Sequence, residues 1–230
     1  MAVRAAKRGA PKRGTAKPVA TPDGARWRRR KEERPGEILA AALETFVERG
    51  YAATRLDDVA KRAGVTKGTL YLYFPNKEEL FKAVVRAALV PTLERVAEAA
   101  AQAQVPIATV MAGLFASFKA LASSPVVGLP KLVLAESGNF PEIARFYHDE
   151  VVARGLAGIK ALLDRGVASG EFRLIDTSLA AFCVAGPLLL ALLWARTMGP
   201  VSGRTLDFEA LSKVHLDLLL NGLRRKEASP

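Results

Sequence analysis

The hydrophobic positions of this chain recur with a helical period almost everywhere after residue 33. Leu39, Ala42, Leu43 and Phe46 follow the i, i+3, i+4, i+7 spacing of an amphipathic helix. The sequence lacks the convincing two-residue alternation that half-buried strands require. The pattern therefore predicts an all-α fold.

Helix-breaking and capping residues divide the front of the chain into short helices. Pro35 suits the first turn of the first helix, and Gly50 suits the position just beyond its end. A second helix is predicted over 56–63, where Gly64 breaks it. Thr66 can cap a third helix that reaches about residue 74.

A longer fourth helix should follow, capped by Asn76 and bent where it passes Pro91. The rest of the chain predicts five more helices, which makes about nine in all. Their predicted ranges are 106–123, 125–137 with a break at Pro130, 141–170, 177–198 and 204–222.

The charge is concentrated at the front of the chain. The net charge is +11, and residues 1–33 hold eleven Lys and Arg against three acids, or +8 of that total. This segment has almost no large apolar residues, so it cannot bury enough surface to offset its ordering entropy. It is predicted to be a disordered basic arm, followed by two domains at 34–80 and 81–230.

One stretch, 177–195, contains no charged residue. Its length would allow it to span a membrane. It also contains Thr177, Ser178, Gly186 and Pro187, and the sequence offers no second span. A helix that is apolar all round is either buried or spanning, and the sequence favours a buried helix that packs against a partner.

The residue inventory does not favour catalysis or cofactor binding. Cys183 is the single cysteine, so an internal disulfide and a cysteine metal cluster are excluded and a reducing, cytoplasmic location is expected. It lies in an apolar run with no histidine beside it. His148 and His215 lack metal-ligand spacing, and no phosphate-binding glycine loop is present.

The helices at 56–63 and 66–74 are joined by Gly64 and Val65, which is the arrangement of a helix-turn-helix. In such a motif the second helix enters the major groove of DNA. Leu70 and Phe74 are spaced to face inward. The side chains left for the groove and its walls are Thr66, Lys67, Gly68, Thr69, Tyr71 and Tyr73.

Each of these residue types suits DNA. Lys67 can donate to a guanine edge or a phosphate, and Thr69 can touch a thymine methyl. Tyr71 lies one turn beyond Lys67 and can reach a base or a phosphate. Tyr73 and Lys77 are placed to reach backbone phosphates. The alternatives are that the tyrosines cover apolar surface and that Lys67 is solvated.

Residues 34–80 resemble the DNA-binding domain of the TetR/AcrR family. The matching stretches are 38–46, 50–54, 59–60 through 64–71, and 73–80. The resemblance implies base reading by Thr66, Lys67, Gly68, Thr69 and Tyr71, and phosphate contacts by Thr54, Tyr73 and Lys77. Thr54 could equally be a plain helix cap. The chain departs from the family pattern at Leu72 and at the Arg34-Pro35-Gly36 entry.

Residues 132–170 are similar to the C-terminal domain of the AefR-like group of that family. The resemblance implies a homodimer formed by the last two long helices, with Leu211, Val214 and Leu218 on the contact face. It also implies an effector pocket between the middle helices. The candidate walls, for which ordinary core is the alternative, are Met111, Phe115, Phe118, Phe146 and Trp194. His148 is expected at the surface.

These observations together predict a ligand-responsive transcriptional regulator. It would be a repressor released from a palindromic operator by a small lipophilic or aromatic effector, with an efflux system as one candidate target. The alternatives are a nonspecific DNA-coating protein driven by the basic arm and a ligand-free interaction module. Footprinting distinguishes the regulator from the coating protein, because a regulator protects one palindrome and a coating protein protects DNA uniformly.

Overall fold

The computed structural model describes residues 22–102 and 104–224, with side chains from residue 34 onward, and the regular structure within them is helical. This confirms the all-α prediction. Among the described residues, those before Gly36 form a unit separate from the one that begins at Gly36. The helices are α1 Pro22–Ala53, α2 Leu56–Arg62, α3 Lys67–Tyr73, α4 Lys77–Ala101, α5 Ile107–Ala122, α6 Gly128–Glu136, α7 Pro141–Tyr147, α8 Arg154–Ala168, α9 Thr177–Arg196, α10 Met198–Ser202 and α11 Phe208–Leu223.

Helix α1 begins earlier than the sequence predicts. Pro35 lies inside the helix instead of in its first turn, and residues 22–33 are helical, contrary to the predicted disorder. Ala, Arg, Lys and Glu dominate the sequence after Gly24, and these are strong helix formers. Residues 1–21 of the predicted arm lie outside the described residues. At its other end, the helix breaks as expected at Gly50, whose φ is 82°.

The predicted caps and turns of the front helices are confirmed. Gly64 has a φ of 66°, so the turn between α2 and α3 uses a conformation that favours glycine. Thr66 accepts a hydrogen bond from the amide of Thr69 and caps α3. Asn76 accepts one from the amide of Glu79 and caps α4.

The back half departs from the predicted ranges in detail. A 3₁₀ turn, Pro125–Val127, precedes α6. The long helix predicted over 141–170 is divided into α7 and α8 by a π-helical turn, His148–Ala153. Such turns are rare and are found frequently at functional sites. The last helix begins at Phe208, later than predicted, because Asp207 caps it through the amides of Glu209 and Ala210.

Two clusters of buried side chains stabilise the fold. The first joins α1–α4 to α6 and α7, and at its centre the ring of Phe81 lies 5.5 Å from those of Phe46 and Tyr51. The second joins the end of α4 to α5, α8, α9 and α11. Because α4 runs through the predicted domain boundary at Leu80, the DNA-binding and effector halves share the first cluster.

Helix α9 is apolar on all sides but is buried on only one. Ala181, Val184 and Leu188 are buried, whereas Phe182 and Leu190 are exposed. By length and composition α9 could cross a membrane, and so could α5 taken with Pro125–Glu136 as one bent pair. Core helices of soluble proteins share these properties, and the buried face of α9 packs against α8 and α6.

Candidate DNA interface and effector cavity

The position of α3 is set by the turn before it and by a small set of buried side chains. The amide of Val65 donates to the carbonyl of Ala60 at 3.0 Å, which closes the turn. Val59 and Ala60 on α2 and Leu70 on α3 are buried, so the two helices are packed closely. The opposite face of α3 is left at the surface.

That surface carries most of the residues predicted to read bases. Thr66, Lys67, Gly68 and Tyr71 are exposed, and Thr69 is half-buried. The Thr66 and Thr69 hydroxyls lie 2.9 Å apart, so the cap also orients Thr69. The five residues thus lie in the cap and first turns of α3, and four of them are exposed.

Lys67 has an ion-pair partner. Its Nζ lies 2.9 Å from Oδ1 of Asp57 on α2 and 5.9 Å from the centre of the Tyr71 ring. The hydrogen bond raises the pKa of Lys67 and lowers the pKa of Asp57. Both side chains are exposed, so the pair is accessible to competing anions, including phosphate.

Two of the three predicted phosphate contacts are engaged elsewhere. Thr54 is only 2 % exposed, and its hydroxyl donates to the carbonyl of Gly50 at 2.7 Å. Lys77 donates to the carbonyls of Tyr51 at 2.8 Å and Ala52 at 3.0 Å. Both side chains donate to backbone carbonyls in the last turn of α1, so the structure gives them a capping role.

Tyr73, the third predicted phosphate contact, is half-buried, and its ring lies 6.4 Å from that of Phe74. Its phosphate contact stays a prediction. Two exposed residues are not among the predicted DNA contacts: Leu72, which is 83 % exposed on α3, and Arg55, which is exposed at the start of α2. Their positions within the motif could have identified both as candidate DNA contacts. An apolar side chain can contact a thymine methyl, and an arginine can bind a phosphate.

A cavity of about 430 Å³ lies between α4, α5, α6, the α7–α8 junction and α9. This volume is in the range of small-molecule sites. Almost all its walls are apolar, with Leu89, Leu114, Val133, Val151, Ile159 and Leu192 among them. The π-helical turn supplies His148, Val151 and Val152 to the same wall.

Of the five predicted effector contacts, only Phe118 lines this cavity. Met111 and Phe115 are buried in the second core cluster. Phe146 packs against the first cluster, with Arg86 5.0 Å from its ring centre, and Trp194 is half-buried near Gly199. Helical spacing identified positions that are buried or half-buried but could not tell which of them border a void. His148 is exposed, as expected, and also lies at the cavity.

The polar groups of the cavity are mostly satisfied by the protein itself. The hydroxyls of Ser117 and Ser137 each donate to a backbone carbonyl at 3.0 Å, and Thr92 accepts from Arg95. Tyr147 differs, because its hydroxyl has no hydrogen-bond partner among the described residues and burial raises its pKa. The cavity therefore suits a largely apolar molecule.

Helix α6 connects the cavity to the DNA-binding helices. Val133 and Leu134 line the cavity. At one end of the helix, Gly128 packs on Val47 of α1, where an added Cβ would lie 2.5 Å from a valine methyl. At the other end, Oε1 of Glu136 accepts from the amide of Ala52 at 3.1 Å. Helix α6 therefore contacts both the cavity and α1.

Comparisons with known proteins agree with this arrangement. Residues 38–84 match the model of the tetR family of bacterial regulatory proteins, and residues 112–207 match the C-terminal domain of AefR-like transcriptional repressors. These two matches cover more than half of the chain. The chain belongs to the TetR family. Its members are DNA-binding transcriptional regulators and typically homodimers.

Proteins similar to this chain include a regulator of fatty acid metabolism and a transcriptional repressor. The fatty acid metabolism regulator protein of Bacillus subtilis is 28 % identical over 85 % of this chain and 100 % of its own length. The transcriptional repressor KstR2 of Rhodococcus jostii is 30 % identical over 84 % of this chain and 92 % of its own. The structure of FadR from Bacillus subtilis with stearoyl-CoA superposes with a TM-score of 0.64 at 27 % identity, covering 81 % and 98 % of the two chains.

Proposed function

We propose that this TetR-family protein is a homodimeric repressor that α3 holds on a palindromic operator and that a lipophilic effector releases. The observation that carries the proposal is the double contact of α6, which lines the cavity with Val133 and Leu134 and holds α1 through Glu136. A ligand in the cavity and the recognition helix therefore act on one connected set of residues. A soluble, cytoplasmic location is part of the proposal.

The proposed effector has a long apolar body and a single polar end, as a fatty acyl thioester has. The nearly apolar walls and the unpaired Tyr147 hydroxyl support this class, and the FadR structure with stearoyl-CoA supplies a precedent. An aromatic, drug-like effector and an efflux target form the alternative.

Footprinting and gel-shift titrations on DNA upstream of the gene test the proposed operator and the proposed effector. The expected result is one protected palindrome in the footprint and loss of binding to it when stearoyl-CoA is added. Release by triclosan but not by stearoyl-CoA would favour the aromatic class. Uniform protection of all DNA would instead indicate a coating protein and would contradict the proposal.

Glu136→Ala is expected to weaken the response to effector more than it weakens operator binding. Loss of the bond to Ala52 removes one contact through which α6 acts on α1. The change in operator affinity produced by stearoyl-CoA should shrink by about 0.5–2 kcal/mol. Glu136→Gln keeps an acceptor oxygen and should restore most of the response.

Glu171→Ala, at an exposed position far along the chain from α6, is the matched control for this experiment. Equal effector responses in Glu136→Ala and Glu171→Ala would exclude a coupling role for Glu136. Operator affinity without effector is measured for all four proteins, so that a general loss of DNA binding is distinguished from a loss of coupling.

Removal of residues 1–21 is expected to weaken binding to all DNA sequences and to reduce its salt dependence. The segment holds six Lys and Arg and no acid, and its removal leaves the start of α1 at Pro22 in place. Each lost phosphate contact should lower the slope of log K against log salt by about 0.9. An unchanged slope, measured by fluorescence anisotropy from low to moderate salt, would show that this segment does not contact phosphates.

A further inference from the structure

The ionisable side chains at the cavity walls come from one segment of the chain. Among the described residues they are Tyr147 at the end of α7, His148 in the π-helical turn and Arg154 at the start of α8. The next residue, Gly155, lies close to α4, since a Cβ added there would be 3.5 Å from Cδ2 of Leu93. The α7–α8 junction therefore gives the cavity an ionisable end beside α4.

The charge at this end is positive. Arg154 is a cation and His148 becomes one when it is protonated, whereas the lining residues that the structure describes include no Asp or Glu. Nδ1 of His148 lies 2.7 Å from Oδ1 of Asp149 in the same turn, so Arg154 is the stronger contact for a further anion. The other walls are almost entirely apolar, and a charged headgroup is costly there unless it is paired.

Arg154 is held in place by two ion pairs that leave it able to bind more. Its Nη1 donates to Oε2 of Glu150 at 3.3 Å, and its Nη2 donates to Oε1 of Glu94 at 3.4 Å. Both distances are long for charge-assisted hydrogen bonds. A guanidinium has five N–H donors, so donors remain for another acceptor. The side chain is 42 % exposed, which leaves it accessible to a ligand.

The two carboxylates do not depend on Arg154 alone. Oε1 of Glu150 also accepts from Nη2 of Arg86 on α4 at 3.0 Å, which is the shorter contact. Glu94 is 55 % exposed, so water can solvate it. Arg154 can therefore turn towards a bound anion without leaving a buried carboxylate unpaired.

We infer that Arg154 binds the negatively charged headgroup of an amphiphilic effector whose apolar tail occupies the cavity. The inference rests on the proposed function, because it assigns the charge and the protein contact of that effector's polar end. The headgroup chemistry is an anionic oxygen, which a guanidinium matches with two parallel N–H groups. A fatty carboxylate and a phosphate of an acyl-CoA both supply such an oxygen. An uncharged lipid and a cationic amphiphile do not.

Ligands that share one tail test the charge of the head. Decanoate, decanol and decylamine are titrated below their micelle concentrations against the neutral fluorescent probe N-phenyl-1-naphthylamine bound to the full chain. At about pH 7.5 the carboxyl group is ionised and the amine is protonated. One charge-assisted contact at a partly exposed site should favour decanoate over decanol by about 10-fold, and decylamine should bind most weakly.

Arg154→Gln should remove this preference. The affinity for decanoate should fall about 10-fold, while the affinity for decanol stays unchanged. Arg154→Lys keeps the charge and should keep part of the preference. Arg145→Gln removes an exposed arginine of α7 that does not line the cavity, and as the matched control it should change neither affinity. Decanoyl-CoA separates the two sources of the anion, since the ligand that loses affinity in Arg154→Gln is the one that supplies it.

The outcomes separate the inference from the proposed function. Equal affinities for decanoate and decanol, tighter binding of decylamine, or a decanoate preference that survives in Arg154→Gln overturns the inference alone. A protein that does not bind the probe, or from which none of the ligands displaces it, overturns the proposed effector site and the inference with it. If Arg154→Gln does not fold, decanoate but not decanol must protect Arg154 from phenylglyoxal, mapped by mass spectrometry, and equal modification overturns the inference.

Discussion

Replacing Phe81 by alanine is expected to lower the free energy of unfolding by about 3–5 kcal/mol. Phe81 is fully buried at the start of α4, and its ring meets Phe46 and Tyr51 edge to face at 5.5 Å. Its removal leaves a cavity where the helices of the DNA-binding half pack on α4. Aromatic pairs of this geometry contribute beyond their buried area, so the upper part of the range is expected.

Urea denaturation at one fixed protein concentration measures the change, since the stability of a dimer depends on concentration. Leu174→Ala is the control, because Leu174 is 87 % exposed and its loss should change stability by less than about 0.5 kcal/mol. A Phe81→Ala protein that loses no more than the control would show that this cluster does not hold the two halves together.

Tyr71→Ala is expected to weaken binding to the operator by about 1–3 kcal/mol and to relax its sequence preference. Tyr71 is 43 % exposed on the outer face of α3, one turn beyond Lys67. It therefore contributes little to the core, and its loss should act on DNA contacts rather than on folding. Lys67→Ala is expected to fall in the same range.

Fluorescence anisotropy on operator and on scrambled DNA measures both affinities, with Lys160→Ala on α8 as a control for a lost surface cation that pairs within its own helix. The loss with Tyr71→Ala should be larger on the operator. An equal loss of affinity on both DNAs would indicate that Tyr71 contacts the DNA backbone. Unchanged operator affinity would contradict the proposal that α3 is the recognition surface.

The features that sequence reasoning located correctly depend on local chemistry. Gly50 and Gly64 supply the positive φ at which helices end, and Thr66 and Asn76 accept the first free amides of the next helices. These effects act within a few residues, so the composition of the segment is enough to place them. The exposed face of α3 follows from the same placement.

The features that it missed depend on distant parts of the chain. Lys77 donates to the carbonyls of Tyr51 and Ala52 at the end of α1, which lie far back along the chain. The cap made by Thr54 on Gly50 is local, and the sequence left it open as an alternative. Met111 and Phe115 are as apolar as the residues that line the cavity. They pack against other side chains of the second cluster, however, whereas Phe118 borders the cavity. Only the packing of α4, α5, α8 and α9 decides between those outcomes, and periodicity within one helix carries no information about it.

The ion pair between Lys67 and Asp57 has a consequence for how the protein searches DNA. Asp57 acts as a counterion tethered to the recognition helix. A phosphate or a guanine edge that binds Lys67 must compete with this carboxylate, so the ion pair offsets part of the gain from either contact. We expect Lys67 to add less to binding on random sequence than a lysine without such a partner would add.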